Sequence, residues 1–232
     1  MSMGLNQVLI AGRWQEERSA RAEFSAANPS SGAPLPERYP VSGSQSLSAA
    51  LEAGARAAQE LARVEPERIA RFLELCADGI TARADVLVQS AHDETGLPKE
   101  PRLKNVELPR TTAQLRQAAA AVRERAFCHP VIDTKNNIRS LFGPLGGPVA
   151  VFGPNNFPFA FNAVCGGDFA AAIAAANPVI AKANPGHPTT TRLLAEVAFD
   201  ALGTSGLPLA SLQLMYALPE ALGLELVAHP RL

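Results

Sequence analysis

Two hydrophobic patterns follow each other along this chain, and the first is helical. After Pro66, apolar residues recur at the spacing of one helix face: Ile69, Phe72, Leu73, Cys76 and Ile80. A further helix is predicted over about residues 84–95, before the stop signal Gly96-Leu97-Pro98, and another over about 102–125. Nearer the amino terminus, residues 7–14 predict a strand that turns at Gly12, and residues 27–44 predict a loop.

The second pattern begins near residue 147 and alternates short apolar runs with helical stretches. Strands are predicted over residues 148–152, 178–182 and 212–216. Helices are predicted over about residues 160–176, 189–202 and 219–228. This order is typical of an α/β fold with a parallel sheet covered on both faces. Between the two patterns, residues 127–142 are predicted to be extended, with a turn at Lys135-Asn136-Asn137.

Composition narrows the class of protein. The 232 residues are 47% hydrophobic, which allows a sizeable core, and a net charge of −1 without a basic run argues against nucleic-acid binding. The apolar stretch 149–183 is interrupted by prolines and an aspartate, so no membrane span is expected. The three cysteines are widely separated, and no cysteine–histidine cluster suggests a metal site. We therefore expect a cytoplasmic protein without disulfides or bound metal.

Charge and topology indicate where a ligand would bind. Residues 45–125 are dense in arginine and glutamate, whereas residues 143–191 contain only Asp168 and Lys182 as charged side chains. Ligands of open parallel sheets bind beyond the carboxyl ends of the strands. Two loops qualify, residues 153–158 and residues 182–188, and neither contains a standard phosphate-binding motif. Their spacing alone is therefore only a weak indication of dinucleotide binding.

The residues of these loops resemble the aldehyde dehydrogenase superfamily. The resemblance is carried by three stretches, residues 147–158 (GPVAVFGPNNFP), residues 177–182 (NPVIAK) and Gly206-Leu207-Pro208, and it extends over essentially the whole chain. Residues 159–161, 165–168 and 182–188 are most similar to the branch that acts on α-ketoglutaric semialdehyde. The resemblance implies the first half of a Rossmann-like parallel sheet with amino-terminal helices.

The resemblance also implies a division of the chain. Residues 1–126 would hold the amino-terminal strand and helices of the cofactor-binding domain, and residues 127–146 an extended segment of the oligomerisation type. Residues 147–232 would form the first βαβαβα half of the NAD(P)-binding domain, and the catalytic domain would be absent. A homo-oligomer is the expected assembly, with a small-molecule aldehyde as substrate and neither nucleic acid nor membrane as partner.

In that family a cysteine thiolate attacks the aldehyde, hydride passes to NAD(P)+, and a glutamate activates the water that hydrolyses the thioester. A side-chain amide holds the oxyanion, and the motif places it on Asn156. An asparagine suits this role because it offers N–H donors without charge. By pattern alone, Asn156 is more typical of a residue that turns the chain between strand and helix.

Lys182 is the main candidate for cofactor binding, against the adenosine ribose or its 2′-phosphate. By position alone it is equally typical of a lysine that extends to solvent from a strand end. Many NAD-preferring relatives have a glutamate where this chain has Pro185, so repulsion of a 2′-phosphate is absent and NADP is favoured over NAD. Asn184 and His187 are further candidate donors, although a lone loop histidine is more often solvated.

The remaining site candidates are weaker. Asn155 belongs to the predicted cofactor lining, together with Phe152, Gly153 and Pro154. Gly223 would lie near the pyrophosphate or adenine, with helix packing as the alternative. Phe159 and Phe161 would line the aldehyde tunnel, although such aromatic residues more often belong to the core. Asp168 is a candidate for substrate binding or, more simply, for a helix cap.

The family's nucleophile and general base would lie beyond residue 232. Cys76 is predicted to be a core residue, and Cys165 lies nine residues after Asn156, near a helix start. Three hypotheses remain: the inactive amino-terminal half of an NADP-preferring aldehyde dehydrogenase, a non-catalytic nucleotide-binding or assembly module, or a complete small enzyme that uses Cys165. If the sheet ends at the third strand, the neighbour of that strand is absent, which predicts association or poor solubility.

Overall fold

The computed structural model describes residues 4–232. Residues 1–3, which belong to the predicted region 1–126, lie outside the described residues. The described chain contains nine short strands: β1 (Val8–Ile10), β2 (Arg13–Gln15), β3 (Ala22–Phe24), β4 (Tyr39–Val41), β5 (Val131–Asp133), β6 (Ile138–Ser140), β7 (Val149–Phe152), β8 (Val179–Lys182) and β9 (Leu212–Met215). It also contains seven α-helices: α1 (Ser44–Leu61), α2 (Pro66–Ala82), α3 (Ala84–Thr95), α4 (Leu108–Glu124), α5 (Gly167–Ala174), α6 (Pro188–Ser205) and α7 (Glu220–Val227).

A five-stranded sheet with the order β2-β1-β9-β8-β7 forms the centre of the fold. The strands β7, β8 and β9 are parallel, and Lys182 lies in register with Phe152 on one side and Met215 on the other. The predicted α/β fold with amino-terminal helices is therefore confirmed. The sheet is mixed rather than purely parallel, because β1 runs antiparallel to both β2 and β9.

The expectation that the third predicted strand has no neighbour is wrong. Leu9 of β1 pairs with Leu214 of β9, although the two residues are far apart in the sequence. All three residues of β1 are fully buried, so the amino-terminal strand covers the edge that the local pattern left open. Among residues 4–232, the sheet edge at the parallel end is β7, whose strand partner is β8.

The helices bury the faces that their periodicity predicts. The predicted apolar residues of α2 are all buried, and α2 packs against α4 and α6. The helix α2 begins at Pro66. The helix α3 is capped at its carboxyl end by Gly96, whose φ of +69° gives the left-handed conformation that favours glycine. None of the helices within residues 4–232 is both long and apolar enough to cross a membrane.

Three elements differ from their predicted extent. Within the predicted loop 27–44, β4 pairs with β3 in an antiparallel ribbon. The predicted helix 102–125 begins as a π-helical segment, Lys99–Glu107, and becomes regular at α4. The predicted helix 160–176 begins only at α5, because Asn162 turns the chain before it. The Asn162 amide donates to the Pro158 carbonyl, and its oxygen accepts from the Val164 N–H, which competes with helix formation.

The extended segment predicted over residues 127–142 is confirmed for the hairpin β5–β6, whereas its first two residues belong to a short 3₁₀ helix, Ala126–Cys128. Its apolar side chains Val131, Ile132 and Ile138 are exposed. The division of the chain into an amino-terminal region, an oligomerisation-type segment and a nucleotide-binding half stays a prediction.

Candidate functional site

Two loops meet at the carboxyl ends of β7 and β8. The Asn184 side-chain amide donates to the Gly153 carbonyl at 3.1 Å, and His187 Nε2 lies 2.8 Å from the Pro154 carbonyl. Because a carbonyl oxygen only accepts, Nε2 of His187 carries the hydrogen. A Cβ on Gly186 would lie 2.3 Å from Asn155 Oδ1, so a larger residue there would have to displace the Asn155 side chain. The structure therefore brings both predicted ligand loops together.

The side chains of Asn184 and His187 help to hold these loops. The Asn184 oxygen accepts from the Gly186 N–H at 2.9 Å, while its amide reaches Gly153. His187 is fully buried, so the expectation of a solvated loop histidine is wrong. The cause is the covering of His187 by the neighbouring loop, which local sequence does not reveal. Both residues organise the edge of the sheet, and their action on a phosphate stays a prediction.

Lys182 is a half-buried cation at this edge. Within residues 4–232, no carboxylate lies within ion-pair distance of its ammonium group, and burial lowers the pKa of Lys182 below its usual range. Its strand neighbour Phe152 is 43% exposed, which gives the same edge an apolar surface. An unpaired, partly desolvated cation beside an apolar surface suits an anionic ligand with an aromatic or sugar ring.

Asn156 lies exposed on the loop that follows β7. Its backbone carbonyl accepts a hydrogen bond from Arg102 Nη2 at 3.1 Å, and the described residues make no hydrogen bond to its side-chain amide. The amide donors are therefore available to a ligand. Pro154, Asn155 and Pro185 are also exposed around this edge.

A row of stacked side chains follows Asn156. The Arg102 guanidinium lies 4.6 Å from the ring centre of Phe157, and Phe157 meets Phe161 edge to face at 5.1 Å. The Arg110 guanidinium lies 5.0 Å from the ring centre of Phe161. Among the described residues no carboxylate pairs with Arg110. The row therefore ends in an exposed positive charge.

Glu107 is a buried carboxylate beneath the same loop. One oxygen accepts the backbone N–H groups of Phe159 at 2.8 Å and Ala160 at 3.0 Å, and the other pairs with Arg102 Nη1 at 2.5 Å. Sequence reasoning missed Arg102 and Glu107. Their partners in the Asn156 loop lie more than fifty residues further along the chain, so no local spacing could have indicated these contacts.

The other candidates differ in how deeply the structure buries them. Phe159 is fully buried in the core, which argues against its contact with a substrate, whereas Phe161 is half-buried. Asp168 lies exposed in the first turn of α5 and makes no side-chain cap bond there. Gly223 lies in α7, and open space surrounds the position of an added Cβ. Within the described residues, no group of three or more His, Cys, Asp or Glu side chains is arranged to hold a metal ion.

The cysteines offer no accessible nucleophile near Asn156. Cys165 and Cys76 are fully buried, and burial together with the neighbouring Cys165 thiol raises the pKa of Cys76. Cys128 is partly exposed at the far end of α4 and forms no disulfide. Because the thiolate is the reactive form, the burial of Cys165 argues against the hypothesis of a small enzyme that uses it.

Comparison with known proteins gives the same family as the motifs. Residues 14–232 match the aldehyde dehydrogenase family. Alpha-ketoglutaric semialdehyde dehydrogenase 2 of Azospirillum brasilense is 41% identical over 172 residues, which are 69% of this chain and 32% of that protein. Alpha-ketoglutaric semialdehyde dehydrogenase of Acinetobacter baylyi is 37% identical over 169 residues, which are 69% of this chain and 31% of that protein.

Among solved structures, 1-pyrroline-5-carboxylate dehydrogenase from Thermus with bound NAD has a similar fold, with a TM-score of 0.83 and 23% identity. The match covers 98% of this chain and 42% of that one. The present chain thus spans about a third of the length of the curated relatives it matches.

Proposed function

Because the chain belongs to the aldehyde dehydrogenase family, we propose that it supplies the cofactor site and the oxyanion-binding amide of an enzyme that oxidises a small anionic oxo-aldehyde to its acid. One observation carries the proposal. Within residues 4–232, Lys182 is a half-buried cation without a carboxylate partner at the end of β8, and Asn156, whose side-chain amide is free, lies on the loop that follows the neighbouring parallel strand β7. Such an edge is where open α/β sheets bind nucleotides.

The residues at this edge fit NADP or NAD. Lys182 would bind the adenosine ribose or its 2′-phosphate, and Phe152, Gly153, Pro154 and Asn155 would line the bound molecule. When bound, the cofactor would supply a nicotinamide ring as the hydride acceptor. The side chains of Asn184 and His187 hold the loops in place, which keeps the edge preformed. With Pro185 in place of an acid, no carboxylate repels a 2′-phosphate, which favours NADP.

Asn156 would donate its amide N–H to the oxygen of the aldehyde as negative charge develops there. A neutral donor suits this task because it neither titrates nor attracts a competing anion. The nucleophile and the general base would come from residues outside 1–232. The burial of Cys76 and Cys165 supports this division, and this chain alone is expected not to turn over aldehydes.

The substrate class follows from charge as well as from similarity. Two relatives carry the name α-ketoglutaric semialdehyde dehydrogenase, and their substrate bears a carboxylate at the end opposite the aldehyde. Arg110, stacked on Phe161, provides a cation with no carboxylate partner among the described residues, at the end of the row of side chains that follows Asn156. A carboxylate at one end of the substrate would bind near Arg110 while the aldehyde reaches Asn156.

A second candidate function is nucleotide binding or assembly without turnover by this chain itself. The exposed apolar residues of the hairpin β5–β6 favour a role in association, and a homo-oligomer stays the predicted assembly. The absence of disulfides among the three cysteines is compatible with the predicted cytoplasmic location.

Calorimetric titration with NADP+ and NAD+ tests the proposal, followed by absorbance of NADPH with 2,5-dioxovalerate and neutral aldehydes. We expect NADP+ to bind more tightly than NAD+ and Lys182→Met to weaken binding, while the matched variant Lys135→Met, in the distant β5–β6 turn, does not. Binding without turnover would support the division of the active site. A folded chain that binds neither nucleotide would contradict the proposal.

A further inference from the structure

The loop that presents Asn156 has no regular secondary structure to position it. Between the end of β7 and the start of α5, residues 153–166 consist of turns rather than helix or strand. Backbone groups in such a segment need partners other than those of a regular helix or strand. Asn184 and His187 supply bonds to the first two residues of the loop. Two residues from the segment before α4, neither of which belongs to the predicted site, supply bonds at Asn156 and after it.

Glu107 anchors the part of the loop that follows Asn156. Its side chain is fully buried, and a single carboxylate oxygen accepts two consecutive backbone N–H groups, those of Phe159 and Ala160. Without this carboxylate, two buried donors would be unsatisfied. Because hydrogen bonds to a charged acceptor are directional and strong, they fix the orientation of both peptide groups.

Arg102 connects that anchor to Asn156. One nitrogen of its guanidinium pairs with Glu107, the other donates to the Asn156 carbonyl, and its planar face covers the Phe157 ring. A lysine could satisfy the first of these contacts but could not make all three at once. One ion pair therefore holds the loop both at Asn156 itself and three and four residues after it.

We infer that Arg102 and Glu107 are positioning residues, which hold the backbone of the loop so that the Asn156 amide meets the reacting carbonyl oxygen. The inference rests on the proposed role of Asn156. Donors in an oxyanion-binding site must be held within about 0.5 Å of their productive position. Arg102 and Glu107 act through the loop and do not touch the reacting atoms.

Nuclear magnetic resonance of the full 232-residue chain tests this inference without any need for turnover. The main variant is Arg102→Lys, because Arg102 is 27% exposed and its replacement leaves Glu107 with a positive partner. We expect the backbone and side-chain amide signals of Asn156 to shift and broaden, while signals distant from both residue 102 and residues 153–166 stay unchanged. The matched control is Arg116→Lys, which alters an exposed ion pair between Arg116 of α4 and Asp78 of α2.

A second variant, Glu107→Gln, keeps the shape of the side chain and removes its charge. The amides of Phe159 and Ala160 should exchange with solvent about tenfold to a hundredfold faster, the factor expected for a lost charge-assisted hydrogen bond. Glu124→Gln, at the exposed end of α4, should leave these rates unchanged.

The two variants distinguish positioning from simple charge balance. If Arg102 served only to neutralise Glu107, Arg102→Lys would leave the Asn156 signals unchanged, and the inference would be overturned. Unchanged exchange at Phe159 and Ala160 in folded Glu107→Gln would overturn it as well. Failure of the proposed function would appear separately, as absence of nucleotide binding by the unmodified chain, while the amide signals still report on the loop.

Discussion

Two buried glutamates serve the backbone in the same way at two places in the molecule. Glu94 of α3 accepts the N–H groups of Thr189 and Thr190 at the start of α6, at 2.7 and 2.8 Å. Glu107 accepts the N–H groups of two consecutive residues in the Asn156 loop. Of these two glutamates, only Glu107 has an ion-pair partner within residues 4–232, and that partner, Arg102, also bonds Asn156.

The difference follows from what each carboxylate must hold. The first turn of a helix aligns its own N–H groups, so Glu94 needs only to satisfy them and complement the helix dipole. An irregular loop has no such repeat, so hydrogen bonds to two of its N–H groups do not fix the position of its other residues. The Arg102–Glu107 pair adds to these backbone hydrogen bonds a further bond to Asn156, the residue with a proposed chemical role. We therefore expect Glu94 to act on stability and Glu107 on the geometry of the loop.

The largest effect should come from Glu94→Ala. This change removes the acceptor of two backbone N–H groups and of the Thr190 hydroxyl, which lies 2.7 Å away. We expect a loss of about 3 kcal/mol in the free energy of unfolding, because buried donors are left unsatisfied. Urea denaturation would measure this loss, and the exposed control Glu124→Ala should change stability by less than about 0.5 kcal/mol. A loss as small as that of the control would contradict the capping role.

A smaller effect, on ligand affinity, should come from Lys182→Met. Loss of the cation should weaken NADP+ binding by about tenfold, the factor for one charge-assisted contact. Because burial lowers the pKa of Lys182, the folded state disfavours the charged form at neutral pH, and replacement should raise the free energy of unfolding. Calorimetry and urea denaturation of the same variant would measure both changes. An equal loss of stability and affinity would instead indicate a structural lysine.

The smallest effect is a pH dependence of the stability that Glu94 contributes. Burial raises the pKa of Glu94 above its usual value, in spite of the hydrogen bonds from Thr189 and Thr190. A raised pKa in the folded state means that the stability contributed by Glu94 is present at low pH and is lost as the pH rises through that pKa. Relative to Glu94→Gln, the unaltered chain should therefore lose stability as the pH is raised from about 4. Denaturation at a series of pH values would show this, and parallel curves would contradict it.

Local patterns predicted the parts of the fold that are held together locally. The strands β7, β8 and β9 and the helices α2 and α3 have periodicity and end signals within their own residues, and they lie where expected. The start of α5 was missed because the side chain of Asn162 makes turns that the apolar pattern does not reveal.

Contacts between distant segments could not be predicted in the same way. The pairing of β1 with β9, the burial of His187 and the contacts of Arg102 and Glu107 with the Asn156 loop all depend on residues brought together by the complete fold. For the site, the motif indicated which side chains to examine. It did not indicate that Asn184 and His187 hold the loops, or that Phe159 lies in the core.

The edge formed by β7, β8 and their loops is the proposed binding site for a nicotinamide dinucleotide. Titration of the isotope-labelled chain with NADP+, followed by nuclear magnetic resonance, would locate the bound molecule. We expect shifts that concentrate at Phe152, Gly153 and Lys182 and that weaken in Lys182→Met. Unchanged signals in a folded chain, or shifts confined to another surface, would contradict it.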